Sequence, residues 1–508
     1  MSSQICLIVS IALYILVMVL IGIIFSKGND NTGDFYLGGR GLSPLVTAMS
    51  AEASDMSSWL LMGIPGLAYI SGIADPFWTC LGLAAGTYLN WLLVSKRLRR
   101  YTEQIGAITV PEFFSKRYGD KKNVLTAVSA IVIVIFFIPY TASGFAACGK
   151  LFNTLFGVNY LVAMIASAII ISLYCTLGGF RAVSTTDLIQ SVCMSAALVI
   201  VICFGVVQAG GMGAVIENAK ALPGFLSLSS SYDQAAGAAK PYGLLTVVST
   251  MAWGLGYFGM PHILVRFMAI NDPEKLKISR RVATIWVVFA MGIAIVIGII
   301  GLSLSNSGLI PYLEGSGNTE RVIIYISDFL SSFGIFPAII AGIILAGMLA
   351  ATMSTADSQL LAAASAISSD LLQDFGKKKF SDDTAVKIAK ITVLIISAIA
   401  VVIAYDPDSS VFAIVSFAWA GFGATFGPVM LLALFWKRSN RQGAIAGMIA
   451  GAVLVFLWKY VISSLGGPFA IYELLPAFII ALIVNVAVSL LTPEPEKDIL
   501  ETYEKTRA

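Results

Sequence analysis

Apolar stretches long enough to cross a membrane recur along the chain, separated by short polar segments. A helix needs about 20 apolar residues to span the hydrocarbon core of a bilayer. By this measure the pattern predicts about thirteen transmembrane helices. They are expected at residues 5–25, 43–72, 75–94, 124–149, 160–180, 187–209, 242–268, 282–304, 322–359, 386–404, 410–436, 442–462 and 472–492. The sequence therefore predicts an all-α polytopic membrane protein, with residues 1–508 as one membrane domain.

Composition agrees with this class. Hydrophobic residues make up 58% of the chain, charged residues only 12%, and the mean hydropathy is +0.87. Soluble proteins carry about 25% charged residues. The net charge of +3 indicates no nucleic-acid partner, because basic residues in membrane proteins report topology. The lipid bilayer is the expected partner, and no obligate protein partner is indicated.

Basic residues are expected to fall on one side of the membrane. With the N-terminus outside, the segments 26–42, 95–123, 269–281, 360–385 and 437–441 and the charged tail 493–508 lie in the cytoplasm. This assignment places there all but five of the 32 lysines and arginines, the exceptions being Lys150, Lys220, Lys240, Arg321 and Lys459. The positive-inside rule thus predicts a multi-pass protein of the cell membrane with its C-terminus cytoplasmic.

Two of the predicted spans are interrupted by glycine and proline. The second carries Gly63-Ile64-Pro65-Gly66, and the seventh carries three glycines before Pro261. For a single glycine or proline, a kink in a packed helix is the plain alternative. Two clusters about 200 residues apart instead suggest two inverted five-helix repeats, each opening with a discontinuous helix that lines a binding site. The repeats are expected at 43–209 and 242–436, after an extra helix at 5–25 and before two helices within 442–492.

Polar groups fall inside these spans. Asp55 lies in the middle of an apolar stretch, where an ionisable group costs roughly 2.5–3.5 kcal/mol and usually serves an ion, a proton or a substrate. In the ninth span, Ser354, Asp357 and Ser358 lie along one helical face. Hydroxyls and carbonyls with at most one carboxylate suit a weakly held monovalent cation. The alternative is that small hydroxyl residues only permit close helix contact.

Five segments resemble the sodium/solute symporter family, and most closely its proline branch. They are Leu37–Arg40, Ser54–Gly63, Trp253–His262, Met353–Thr355 and Ala418–Pro428. The resemblance covers nearly the whole chain. It implies the leucine-transporter fold, with two inverted five-helix repeats, one extra N-terminal helix and two C-terminal ones. It also implies a transporter rather than an enzyme, with sodium ion co-transported and L-proline as substrate.

The resemblance further implies roles for individual residues. Sodium would be bound by the carbonyls of Ala53, Met56 and Ala351 and the hydroxyls of Ser354 and Thr355, with Asp55 beside the ion. The proline site and its gates would comprise Tyr140, Trp253, Tyr257 and Pro261, with Ser57 and Gly63 on the facing span. Aromatic faces suit a pyrrolidine ring, and freed backbone groups suit its carboxylate and ammonium.

A second cation or proton site is a further hypothesis. In some relatives serines near Asp357 hold another sodium together with an aspartate that matches Asp187. We therefore expect Asp187, Asp357 and Ser358 to form such a site. The alternative is that Asp187 is a helix cap or a residue at the cytoplasmic edge, after Ser184-Thr185-Thr186.

Two other positions have open interpretations, and three depart from the family pattern. His262 is the only histidine and is either a hydrogen-bonded packing residue or a proton relay. Arg40 either influences ion release at the inner mouth or acts as a positive-inside anchor. Glu52 and Ser58 stand where the family commonly has glycine, and Met260 replaces a frequent glutamine.

The function expected is secondary active uptake of one sodium with one proline. Another small zwitterion, such as proline betaine, is the alternative substrate. A channel, a transporter-like sensor and an intramembrane enzyme are rival classes. The sequence shows no repeated filter sequence and no GxSxG motif.

Overall fold

The computed structural model describes residues 3–25, 32–378 and 380–507. Through residue 220 the helices are α1 (Ser3–Phe25), α2 (Thr32–Leu37), α3 (Pro44–Asp55), α4 (Ile64–Ser71), α5 (Ala74–Leu89), α6 (Ser95–Gln104), α7 (Val110–Arg117), α8 (Val124–Phe156), α9 (Tyr160–Gln208) and α10 (Met212–Lys220). A hairpin of β1 (Ser230–Asp233) and β2 (Ala238–Pro241) follows, antiparallel, with Ser230 opposite Pro241. The later helices are α11 (Leu244–Met251), α12 (Pro261–Ala269), α13 (Leu276–Asn306), α14 (Ser316–Thr319), α15 (Val322–Ser331), α16 (Ile335–Ser365), α17 (Asp382–Ile403), α18 (Val411–Phe435), α19 (Arg441–Leu457), α20 (Leu474–Leu491) and α21 (Lys497–Arg507).

The helices agree with most of the predicted spans. Within the described residues, ten helices are long and apolar enough to cross a membrane by length and composition. The second, fifth and seventh predicted spans fall instead on shorter apolar helices, Trp59–Ser71, Tyr160–Leu173 and Leu244–Gly259. The total of thirteen spans stays a prediction.

The ninth predicted span, 322–359, is wrong at its start. Its first part is the separate helix α15, and α16 begins only at Ile335, after Gly334 at φ 120°. That dihedral is open to glycine and closed to most other residues. The predicted loops also hold structure, since α6 and α7 lie within 95–123 and α10 and the hairpin lie within 210–241.

The long helix α9 contains a break that separates the fifth and sixth predicted spans. Gly179 has φ 62° and ψ −172°, which removes it from helical geometry. A side chain would strain this conformation. The glycine therefore lets the chain reverse with no connecting loop, and Asp187 lies in the helix that follows.

One end of the bundle, here called the basic end, is formed by residues 38–43, α6, α7 and the tail helix α21. The tail packs onto this end, because the Tyr503 hydroxyl donates to the Leu434 carbonyl over 3.3 Å. The Arg117 guanidinium lies 4.8 Å from the centre of the Tyr503 ring. The predicted tail is thus a docked helix.

The opposite end is held by a buried ion pair. Lys150 on α8 lies 2.8 Å from the Glu320 carboxylate. That carboxylate also accepts from the backbone N–H groups of Val411 and Phe412, each at 3.0 Å, in the first turn of α18. The pair therefore connects α8, the α14–α15 segment and α18.

Helix α5 packs against the segment 252–259 with no side chains between them. A Cβ on Gly82 would meet the Met251 backbone, and one on Gly86 would meet the Gly254 backbone. Gly254 in turn lies against Gly82. The two backbones touch directly because all three positions are glycine.

We predict that Gly86→Ala destabilises the protein by about 1–3 kcal/mol, because the new methyl group overpacks this contact. Gly292→Ala on α13 is the matched control, since its Cβ would have open space within 4 Å. Thermal unfolding of the purified variants measures the difference. Equal melting temperatures for the two variants would contradict the close packing.

Candidate ion and substrate site

Helix α3 stops inside the protein, at the place where the second predicted span is interrupted. It begins at Pro44, capped by the Ser43 hydroxyl, and ends at Asp55, where Met56 leaves helical geometry with φ −75° and ψ 72°. The chain resumes as a wide turn over Trp59–Gly63 before α4. Carbonyl groups at the end of α3 have no helical partners. They are therefore available to other elements or to an ion.

The hydroxyls of α16 meet these carbonyls. The Ser354 hydroxyl donates to the Ala53 carbonyl over 2.8 Å and lies 3.2 Å from the Ala351 carbonyl. The Thr355 hydroxyl lies 3.5 Å from the first of these and 3.2 Å from the second. The structure thus brings together four of the residues predicted to bind sodium. Carbonyl and hydroxyl oxygens are ligands that suit a hard cation.

The two other predicted sodium residues lie at the same break. Asp55 is fully buried and accepts a short hydrogen bond from the Tyr257 hydroxyl at Oδ2. Its Oδ1 has no hydrogen-bond partner within the described part of the chain. Met56 follows directly and is also fully buried. A buried carboxylate with one free oxygen places negative charge beside the carbonyl and hydroxyl cluster.

Aromatic side chains surround the break. The Tyr140 hydroxyl donates to the Asp55 carbonyl over 3.3 Å. The Trp253 ring stacks on Tyr472, with centroids 5.4 Å apart, and lies 5.1 Å from Phe412. These rings form an apolar wall beside polar backbone groups, which suits a small amphipathic ligand.

Of the remaining predicted substrate residues, two lie at the α3 break and one lines a separate cavity. A Cβ on Gly63 would lie 3.1 Å from the Phe412 ring, so this glycine lets the aromatic wall close on the break. Ser57 donates its backbone N–H to the Asp55 carbonyl over 2.8 Å. Pro261 instead lines a cavity that reaches the basic end, together with Arg266 and Ser358.

Part of this aromatic wall was not predicted from the sequence. Phe412 and Tyr472 carried no signal there, although both rings lie against Trp253. Trp419 lay within a noted segment, and its Nε1 donates to the Trp253 carbonyl over 2.7 Å. These partners are more than 150 residues distant in sequence, so only the fold brings them to the break.

His262 lies in the first turn of α12 and is fully buried. Its ring packs edge-to-face against Phe137 and Tyr140, with centroids 5.5 Å and 6.3 Å away. The Ser54 backbone faces the ring, but neither ring nitrogen makes a well-formed hydrogen bond to the described residues. The packing expected of His262 is present, and its hydrogen bonding and a part as a proton relay stay predictions.

The predicted second cation site contains an arginine that the sequence analysis did not single out. The Arg266 guanidinium lies 3.2 Å from Asp187 and donates to the Ser358 hydroxyl over 2.6 Å. Ser50 donates to the same Asp187 oxygen over 2.6 Å. Asp357 accepts from the Ser358 hydroxyl at 3.3 Å. Asp187 lies inside α9 and not at its start, so it does not cap that helix.

This cluster has two carboxylates and one guanidinium. Asp187 Oδ1 and Asp357 Oδ2 have no hydrogen-bond partners among residues 32–378 and 380–507. Arg266 already supplies a positive charge to Asp187 and uses the Ser358 hydroxyl as an acceptor. Asp357 is therefore the carboxylate of this cluster that has no direct ion pair within the described residues and could bind a further cation.

Arg40 lies at the basic end and joins three segments. Its guanidinium donates to the carbonyls of Met268, Ala107 and Thr102 over 2.6 Å, 2.8 Å and 3.1 Å. Burial lowers the pKa of the Arg40 guanidinium to about 10, so the group stays charged at neutral pH. The contacts support the interpretation as an anchor, and a part in ion release stays a prediction.

We predict that Arg266→Met costs about 3–5 kcal/mol of stability, because it leaves Asp187 charged, buried and unpaired. Adding Asp187→Leu to this variant restores part of the loss. Lys96→Met is the control, since its ion pair with Glu274 is exposed and is worth under about 1 kcal/mol. Thermal unfolding measures the stability of the two single variants and the double variant. A loss of stability in Arg266→Met no larger than in Lys96→Met would contradict a buried ion pair between Arg266 and Asp187.

Known proteins resemble this chain in sequence and in fold. Residues 35–451 match the sodium:solute symporter family. The sodium/proline symporter of Haemophilus influenzae is 42% identical over 503 residues, which cover 98% of this chain and 97% of the relative. The sodium/proline symporter of Escherichia coli K12 is 41% identical over 492 residues, 96% of this chain and 94% of the relative. The osmoregulated proline transporter OpuE of Bacillus subtilis is 40% identical over 493 residues, covering 97% and 96%.

Solved structures show the same fold. A Na⁺-coupled sialic acid symporter, in a substrate-bound outward-open state, superposes with a TM-score of 0.78 at 19% identity, covering 97% of this chain and 99% of that one. The nucleobase-cation-symport-1 family transporter Mhp1 gives 0.57 at 14% identity, covering 93% and 98%. The predicted leucine-transporter fold is thus confirmed. With the family match over most of the chain, these findings establish that the chain is a membrane transporter that belongs to the sodium:solute symporter family.

Proposed function

We propose that this protein takes up L-proline across the cell membrane together with sodium ion, by alternating access. The observation that carries the proposal is the meeting of the Ser354 and Thr355 hydroxyls with the Ala53 carbonyl, beside the buried Asp55 at the α3 break. The named relatives that transport proline supply the substrate. Proline betaine or another small zwitterion is the second candidate.

Sodium would bind at the carbonyls of Ala53, Met56 and Ala351 and the hydroxyls of Ser354 and Thr355. Asp55 would stabilise the ion by its charge and would hold Tyr257 by accepting a hydrogen bond from its hydroxyl. Because Tyr257 lies in the interrupted seventh span, ion binding and substrate binding would share this side chain. Each ligand should then raise the affinity for the other by the same factor.

Proline would lie against the aromatic wall. Trp253 and Tyr140 would pack against the pyrrolidine ring, and Ser57, Gly63 and Tyr257 would border it. Pro261 would lie on the exit route, because it lines the cavity toward the basic end.

The membrane potential would drive uptake. One charge moving through 100 mV gives roughly 2.3 kcal/mol. At about 1.4 kcal/mol per tenfold, this sustains a proline gradient of several tens-fold. A sodium gradient would add to it.

The membrane orientation and repeats are part of the proposal. The N-terminus would lie outside and the basic end in the cytoplasm, since Arg40, Arg99 and Arg117 cluster there and the positive-inside rule favours that side. The repeats would be 43–209 and 242–436, each opening with an interrupted span. Residues 5–25 and 442–492 would be added helices.

The test is labelled L-proline uptake by purified protein in liposomes, with and without an inward sodium gradient. Wild-type protein should accumulate proline only with the gradient. Asp55→Ala should lose at least tenfold in apparent sodium affinity, about 1.4 kcal/mol, because it removes the charge beside the ion. Asp328→Ala is the control, since this carboxylate lies exposed on α15. Uptake that ignores sodium, or a normal sodium affinity in Asp55→Ala, would reject the mechanism.

We also propose a second cation or proton site formed by Asp187, Asp357 and Ser358, with Arg266 as a fixed neighbour. Asp187→Asn and Asp357→Asn, made singly, should change the steepness or the midpoint of the sodium dependence of uptake. Asp328→Asn serves as the control. If both variants keep the wild-type steepness and midpoint, no coupled cation binds there.

A further inference from the structure

Glu52 is a second buried carboxylate on α3, one turn before Asp55. It is 1% exposed. Its Oε1 accepts from the Trp91 Nε1 over 2.9 Å. Its Oε2 has no hydrogen-bond partner in the described part of the chain. The side chain therefore has one oxygen held in place and one oxygen free.

The Tyr257 hydroxyl has three polar neighbours. It donates to Asp55 Oδ2 and also faces the Glu52 carboxylate and the Thr87 hydroxyl. Thr87 lies on α5, is fully buried, and makes no well-formed hydrogen bond to any described residue. We call Glu52, Asp55, Thr87 and Tyr257 the Glu52 cluster. Three of its members thus present an unpaired buried oxygen around one phenol.

The Glu52 cluster has no positive charge of its own. Neither Glu52 nor Asp55 forms an ion pair with a lysine or arginine in residues 3–25, 32–378 and 380–507. Other deeply buried carboxylates do have a basic partner, since Asp187 pairs with Arg266, Glu320 with Lys150 and Asp120 with Arg441. A buried charge is costly unless it is paired.

The cargo already proposed leaves one of these negative charges unbalanced. A single sodium at Ala53, Ser354 and Thr355 neutralises one carboxylate. A zwitterionic substrate brings one positive and one negative charge, so it neutralises neither. One further positive charge would balance the pair of carboxylates in their ionised forms.

We propose that the Glu52 cluster binds a second sodium ion, with Glu52 Oε2, Asp55 Oδ1, Thr87 Oγ1 and the Tyr257 oxygen as ligands. Carboxylate, hydroxyl and phenol oxygens are hard ligands that suit an alkali cation. Trp91 orients the Glu52 carboxylate from its other oxygen, as partners behind metal ligands commonly do. Asp55 would then lie between two ions, one on each side of its carboxylate.

This inference rests on the proposed sodium coupling and extends it. A second co-transported charge would square the concentration ratio that a given membrane potential sustains. Glu52 is one turn closer to the basic end than Asp55, so its ion would lie further along the inward route.

The experiment is equilibrium binding of ²²Na⁺ to the purified full-length protein in detergent, without any substrate. Glu52→Gln should bind one sodium fewer than wild type at saturation. This substitution is close in shape, and its amide oxygen still accepts from Trp91. Thr87→Val should lower the affinity for one of the bound sodium ions by about tenfold. The number of sites should stay unchanged, because only a neutral ligand is lost.

Thr79→Val is the matched control. Thr79 is also a buried threonine on α5 with an unpaired hydroxyl, two turns from Thr87, and its variant should bind sodium as wild type does. Equal stoichiometry in wild type and Glu52→Gln, with Thr87→Val also unchanged, would show that Glu52 carries a proton and would overturn the site. If Glu52→Gln does not fold, an unchanged sodium affinity in Thr87→Val is sufficient to overturn the site.

The assay separates this inference from the proposed function. A lower stoichiometry in Glu52→Gln supports the site even if wild-type protein fails to take up proline. Sodium-driven proline uptake with equal stoichiometry in the two proteins rejects the site and leaves the proposed function standing.

Discussion

A helix broken inside a bilayer is possible only where other groups satisfy its freed backbone, and the structure depends on this constraint. Helix α3 ends at Asp55, and the carbonyls at its end have no partners within the helix. Ser354 and Thr355 reach one of these carbonyls from α16, and the Trp59 indole and the Tyr140 hydroxyl reach another, that of Asp55. The groups that stabilise the break are thus the same groups that surround the candidate ion site. Stability and ion binding cannot be altered separately here.

Charge inside the protein follows a related rule. Several buried acidic groups have a basic partner, among them Glu320 with Lys150 and Asp187 with Arg266. Each pair joins elements that are distant in sequence and so fixes their relative positions. Glu52 and Asp55 have hydrogen bonds to Trp91 and Tyr257 and no basic partner. These two carboxylates lie at the helix break, where a mobile cation from solution can reach them during a transport cycle.

The sequence predicted the helical spans well because the bilayer demands long apolar stretches. The interruption at Gly63-Ile64-Pro65-Gly66 located the broken helix to within a few residues, although the break itself is earlier, at Met56. The ninth span was wrong at its start because α15 is as apolar as α16, and only the three residues Ser332, Phe333 and Gly334 separate them. Apolar composition does not distinguish a helix that crosses the membrane from a shorter helix that is buried in the protein.

The contacts of the site were less predictable. Ser354 was identified from its spacing and from family resemblance, and Thr355 from the resemblance alone. The structure places both hydroxyls at the Ala53 carbonyl. Arg266 was not identified, because a basic residue near a span end is usually an anchor. Its partners lie 79 and 92 residues away along the chain. For His262, packing was one of the two expected roles, and its ring does pack against Phe137 and Tyr140.

The glycines between α5 and the segment 252–259 have a mechanical consequence. Where two backbones touch with no side chains between them, neither can slide or rotate without the other, because no flexible group can absorb the movement. Trp253 and Tyr257 belong to that segment, so α5 and these two rings form one rigid body. Any tilt of the interrupted seventh span must carry α5 with it, and with α5 the Thr87 hydroxyl and the Trp91 indole.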